Sequence, residues 1–169
     1  LKSFNLTIQK GTGVDSICYK INDSNTYSAT ISSSITLKVI SGSKYYYYGT
    51  PKNGYKMSSC TKDSPCSGTM GNSETIKTLS TTPIYTVTIK KSLDGGTATT
   101  VRTVNVASNE SYSAEISGGP YYIFESVSCT NGQTATIKEK YTSTTQNVDC
   151  TFSIEKVTNN TVCTIFISS

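Results

Sequence analysis

The sequence predicts an all-β protein built from two small tandem β-sheet units, sandwich-like and stabilised by disulfides. Three observations carry that expectation. One alternating strand occurs twice, as Phe4-Asn-Leu-Thr-Ile-Gln-Lys10 and as Tyr85-Thr-Val-Thr-Ile-Lys-Lys91. The composition is rich in Ser, Thr, Tyr, Val and Ile, poor in charge and without Trp, which suits strands with hydroxyl-rich outer faces. No segment shows a helical period.

The duplication places a first unit at 1–82 and a second at 83–169. The spacing between copies is uneven: 81 residues separate Phe4 from Tyr85, but 69 separate Cys60 from Cys129. The first unit therefore carries extra residues near its second and third strands. Units of roughly 80 residues bury only about 60% of the surface that their unfolded chains expose, so each gains from a covalent staple.

In the first unit Phe4, Leu6 and Ile8 alternate with Asn5, Thr7 and Gln9, the mark of one buried and one wet face. Gly11-Thr12-Gly13 breaks that strand. Ile17, Tyr19 and Ile21 form a second, closed by the turn-rich Asn22-Asp23-Ser24-Asn25, and Ile35, Leu37 and Val39 a third, closed by Ser41-Gly42-Ser43. Strands follow at Tyr45–Tyr48 and Tyr55–Cys60, then a loop from Cys60 to Gly71 and a short strand around Ile76 and Leu79. Thr81-Thr82-Pro83 reads as a linker in which proline ends pairing.

The second unit opens with Tyr85, Val87 and Ile89 and turns at Leu93-Asp94-Gly95-Gly96, a strong hairpin signal. Val104 and Val106, Tyr112–Ile116 and Tyr121–Cys129 are the next strands, and Asn131-Gly132 is a second hairpin signal. Val148, Cys150, Phe152 and Ile154 share one face of a later strand, and Thr161–Ile167 closes the unit.

Six cysteines without a single histidine fit disulfides better than a mixed zinc site or a Cys–His pair, and imply an oxidising, extracellular setting. Cys60 and Cys66 bracket a loop short enough to close on itself. Cys129 and Cys163 stand where the two ends of one unit can be stapled. Three fates stay open for Cys18 and Cys150: a bond across the units, a bond to another chain, or two buried thiols.

Tyr45–Tyr48 puts two tyrosines on each side of one strand. One pair belongs in the core. The other, Tyr46 and Tyr48, forms an exposed aromatic strip with Tyr121 and Tyr122 as its counterpart, fit to stack on sugars or anchor a protein, unless cross-strand packing absorbs it.

Catalysis finds little support. No histidine can act as base, Asp15, Asp63, Asp94 and Glu139 form no paired motif, and no phosphate loop opens a helix. No cofactor is implied. Net charge is only +4, with Lys and Arg scattered rather than gathered in a basic stripe, which argues against nucleic acid. No apolar run approaches the roughly 18–20 residues of a membrane span. A start at Leu1 rather than Met reads as a processed or partial chain.

The x-Thr-Val-Thr-x strand, the glycine-rich turn, Pro51-Lys-Asn-Gly-Tyr55 and the closing strand after an Asn-Thr turn together resemble a divergent internalin-type B repeat. In the second half, Ser126-Val-Ser-Cys-Thr-Asn-Gly-Gln133 and Val157-Thr-Asn-Asn-Thr-Val-Cys163-Thr resemble cysteine-containing surface repeats of Firmicutes. The chain departs from that pattern where Met57–Cys60 replaces the tryptophan that commonly follows Gly-Tyr. The resemblance implies compact β units in secreted or wall-attached proteins of Gram-positive bacteria.

Strands lie almost at both chain ends. If Phe4, Leu6 and Ile8 at one end and Ile165 and Ile167 at the other mark open edges, copies can add strand to strand, head to tail, into a filament; alternatively the units pair their own ends. The functional expectation is a non-enzymatic extracellular structural subunit of a bacterial surface fibre, partnered by itself or by cell-surface components. Alternatives are an adhesin that holds glycan or host protein on its tyrosines, or a phage or virion surface fibre.

Overall fold

A computed structural model describes residues 1–23, 25–142 and 147–169. Ser24, within the expected Asn22–Asn25 turn, lies outside the described residues. The described chain is all-β, with no helix. It divides into two compact units, Leu1–Pro83 and Ile84–Ser169.

In the first unit the strands are β1 (Ser3–Lys10), β2 (Val14–Ile21), β3 (Ile35–Ile40), β4 (Lys44–Pro51), β5 (Tyr55–Met57), β6 (Cys66–Thr69) and β7 (Thr75–Leu79). They form two three-stranded sheets, β3-β1-β7 and β2-β4-β6. The strand β8 (Thr81–Leu93) begins here, and its first three residues pair antiparallel with β5. Pro83 is thus a strand residue opposite Tyr55, not the end of pairing that a proline linker implies. Its missing N–H falls at the last position of a three-residue ladder, where it costs least. β6 lies inside the stretch expected to be loop: Cys66-Ser-Gly-Thr69 has no apolar alternation and is ordered by pairing with β4.

Alternation in β1 turns Leu6 and Ile8 into the space between the two sheets, where they meet Val39, Leu79, Val14, Ile17, Tyr45, Tyr47, Met57 and Met70. Asn5, Thr7 and Gln9 fall on the other face, with Thr7 and Thr36 hydroxyls 3.0 Å apart across strands. The corner between β1 and β2 requires glycine at Gly13, whose φ is +81° and whose missing side chain makes room for Thr81 and the Tyr55 ring.

The second unit continues β8 and adds β9 (Thr99–Ala107), β10 (Tyr112–Pro120), β11 (Ile123–Cys129), β12 (Thr136–Thr142), β13 (Asn147–Ile154) and β14 (Thr161–Ser168). One sheet runs β11-β14-β8-β9 and the other β10-β13-β12. Their facing sides bury Val87, Ile89, Ile116, Phe124, Phe152, Ile154, Val157 and Ile165. Asp94 and Gly95, both at positive φ, make the tight turn that joins β8 to β9 as a hairpin. Asn131 and Gly132 adopt the same two left-handed conformations, and Gln133 N donates to Thr130 O over 3.2 Å. No hairpin results there, because β11 and β12 belong to different sheets. A turn of this type fixes a local reversal; the neighbouring core decides which strand is met next.

Candidate functional site

The two units share a topological feature that alternation alone does not reveal. In each, the first strand lies beside the last and runs parallel to it. β1 pairs with β7 from Leu6↔Thr75 to Lys10↔Leu79, five residue pairs. β8 pairs with β14 from Val87↔Thr161 to Leu93↔Ile167, seven pairs.

This corrects the expectation that the terminal strands are open edges. β1 has β3 on its other side, and β14 has β11. Leu6, Ile8 and Ile165 are at most 1% exposed, Ile167 is buried and Phe4 is half-buried against the core. An alternating strand has one buried face wherever it sits in a sheet, so its pattern says nothing about whether its two edges are paired. Among the described residues the sheet edges fall on β3 and β7, on β2 and β6, on β9 and β11, and on β10 and β12, so of the terminal strands only β7, the last of the first unit, borders a sheet.

The disulfides sit differently against this frame. Cys60 is bonded to Cys66 within the segment joining β5 to β6, with Cα atoms 4.7 Å apart. Cys129 and Cys163 face each other directly across β11 and β14 and are bonded, with Cα atoms 4.0 Å apart. The last strand of the second unit is therefore covalently tied to its neighbour. Cys18 and Cys150 are free and buried. Burial, with Glu115, Asp149 and Glu139 nearby, pushes the Cys150 thiol up to about 11.

The tyrosines do not form an exposed strip. Tyr45 and Tyr47 enter the core, stacked with centroids 6.2 Å apart. Tyr48, on the opposite face, is only 9% exposed because Tyr27 lies edge-on against it at 5.0 Å. The residues that bring Tyr27 there run beside β2, with Ser28 N donating to Tyr19 O and Ile31 exchanging hydrogen bonds with Ile17. Tyr46 is half-buried, and the Lys20 ammonium stands 4.9 Å from its ring centre and 5.0 Å from that of Tyr27. A hydrogen bond with the Cys18 thiol, then burial, raises Tyr48 to about 12. In the second unit Tyr121 is exposed, at a positive φ, while Tyr122 packs against the core. Four tyrosines in a row signalled an aromatic face, but nothing in the spacing signalled that Tyr27 would cover it.

A further correspondence escaped the sequence reading. Gly49 in β4 and Gly118 in β10 each precede a proline by two positions, in Gly49-Thr-Pro51 and Gly118-Gly-Pro120. A Cβ at Gly49 would stand 2.9 Å from Met57 Cε, and one at Gly118 2.6 Å from the Phe124 ring. Each glycine opens the space in which an apolar side chain just after the Pro segment enters the core. The shared Gly-x-Pro was the available signal.

A parallel first-and-last pair means that the chain enters a unit at one end of the ladder and leaves at the other. Pulling on the two ends then slides the strands past one another and loads every ladder hydrogen bond together. No protein-family model matches this sequence, and no curated protein matches it.

Proposed function

We propose that the protein is a non-enzymatic, extracellular structural module that carries tension in a bacterial surface stalk or fibre. The observation that supports this best is the parallel pairing of first and last strands in both units. Ladder hydrogen bonds that share a shear load yield together, whereas a peeled pair gives way one bond at a time. Two disulfides in separate units suit an oxidising exterior, and the absence of histidine and of paired carboxylates in the sequence leaves little for catalysis. The tandem copies are read as repeats of one load-bearing block, in keeping with the resemblance to Gram-positive surface repeats. Assembly into a fibre would use the edge strands rather than the interior β1 and β14. The adhesin reading on tyrosines has less to draw on, since Tyr48 is covered and Tyr46 is engaged by Lys20, and rests on the exposed Tyr121.

The test is direction-dependent force spectroscopy on the second unit. Pulled between Ile84 and Ser169 the unit is loaded in shear; pulled between Gly95 and Ser169 the adjoining ends of β8 and β14 are peeled apart. The expected result is a clearly higher rupture force in the first geometry. Equal forces would remove the tension-bearing reading. Electron microscopy of unreduced native material tests the fibre, and dispersed particles would confine the role to a stalk module.

A further inference from the structure

The second unit carries a small neutral groove of about 250 Å³, lined by Thr86, Thr88, Thr130, Asn131, Asn160, Thr161 and Val162. No ionisable side chain lines it. Four threonines, two asparagines and a valine supply both methyl groups and neutral polar atoms to the lining.

The amides are fixed in place. Asn160 Oδ1 accepts from Thr86 N at 2.8 Å, and Asn131 Nδ2 donates to Asn160 O at 2.6 Å. Asn159 Nδ2 donates to Asn131 O at 3.3 Å. The backbone partners settle which way each of these amides faces. Thr130 Oγ1 accepts from Val162 N at 2.9 Å, and Thr161 Oγ1 donates to Thr130 O at 2.9 Å. Among the described residues this leaves a consistent set of unused capacity: the Asn160 Nδ2 donors, the Asn131 Oδ1 acceptor, the Thr88 hydroxyl and the Thr130 hydroxyl proton.

We propose that this groove is a binding site for one residue of a neutral saccharide. Sugar hydroxyls donate and accept at once, so they match a mixed set of neutral donors and acceptors. Sugar C–H faces match the methyl groups that the threonines and Val162 contribute to the lining. The volume lies just below the usual small-molecule range of about 300–1,000 Å³, which suits a single ring rather than a longer ligand held along its length. No cationic side chain lines the groove to favour a carboxylate, sulfate or phosphate over a neutral ligand. The site is separate from the tyrosines and stands whether or not the protein bears tension. Because the groove is shallow, a single ring binds with Kd of about 1 mM.

The experiment is an amide NMR titration of the whole chain, oxidised. The probes are methyl β-glucoside, N-acetylglucosamine, cellotetraose and chitotetraose, with glucuronate as the charged control. Support consists of saturable shifts at the amides of Thr86, Thr88, Asn131, Asn160 and Val162 with at least one neutral sugar, and none with glucuronate. A tetraose that binds tighter than its single ring identifies a polysaccharide chain as the source; equal affinities identify a terminal or free sugar. Thr88→Val and Asn160→Asp should each weaken binding at least tenfold. Asn160→Asp keeps the acceptor for Thr86 N, and an unchanged spectrum elsewhere shows that the fold survives. The proposal is overturned if no neutral sugar shifts these amides at ten times that concentration, if glucuronate binds equally, or if both variants bind as the parent does.

Discussion

The two units use one plan with different reinforcement. Both put the first strand parallel to the last, and both use a glycine two residues before a proline to seat an apolar side chain. Yet the first unit has a five-pair terminal ladder with β7 at a sheet edge, while the second has a seven-pair ladder with β14 enclosed between β8 and β11. The disulfide follows the same division. In the second unit it ties β14 to its neighbour; in the first it closes a short segment and bonds to neither β1 nor β7. Charge differs too. The first unit holds nine lysines against four carboxylates, for +5, and the second six basic residues against seven acidic, for −1. The common part is the parallel pairing of first and last strands; the staple, the core aromatics and the charge differ around it.

The largest effect should come from breaking β14 itself. Ile165→Pro removes a ladder donor from an interior strand and should unfold the second unit while the first keeps its signals, as read by NMR; a folded second unit would contradict the interior placement. Next comes matched cavity formation. Leu6→Ala and Ile165→Ala each empty a fully buried position and should cost about 2–5 kcal/mol, each confined to its own unit in denaturant melts.

Reduction should separate the units further. Closing a loop of 34 residues stabilises by about 4 kcal/mol in the chain-entropy account, against about 2 kcal/mol for a loop of six. Adding reductant should therefore lower the second unit's melting midpoint more than the first's, and the reverse order would deny Cys129–Cys163 its place in the stronger unit. Cys150, fully buried and with its pKa at about 11, should stay unlabelled by thiol reagents until that unit unfolds.

The smallest effect concerns the tyrosine face. With Tyr48 raised from 10.0 to about 12, the folded protein keeps a proton that the unfolded chain loses between those pH values, so stability is intact below pH 10 and falls as pH rises towards 12. Cys18→Ala removes the largest cause of that shift and should move the tyrosinate absorbance titration back toward 10; an unchanged curve would remove the Cys18–Tyr48 hydrogen bond from the account.

The sequence showed clearly what depends on local pattern. The alternation of Phe4 to Ile8 and of Val148 to Ile154 marked strands with one buried face, and the spacing of Cys60 from Cys66 marked a closable loop. It was silent where distant partners decide. Cys66–Thr69 and Thr136–Thr142 are strands because β4 and β13 offer free edges, not because their own residues alternate convincingly. Asn131-Gly132 carries a hairpin's chemistry and lies between sheets, since turn residues fix dihedrals and not partners. The terminal strands read as edges only because they stand near the chain ends, and position in sequence does not decide position in a sheet.

The most direct measurement pulls the whole chain by its ends under oxidising conditions. With disulfides closed, the first unit should release about 270 Å of chain and the second about 180 Å, since Cys60–Cys66 holds back six residues and Cys129–Cys163 holds back 34. These lengths identify the events. Two abrupt ruptures, the 270 Å step at the lower force, are the expected result, with both steps becoming nearly equal in length on reduction. Gradual lengthening at low force, or the 180 Å step yielding first, would contradict the shear-loaded arrangement of the terminal strands.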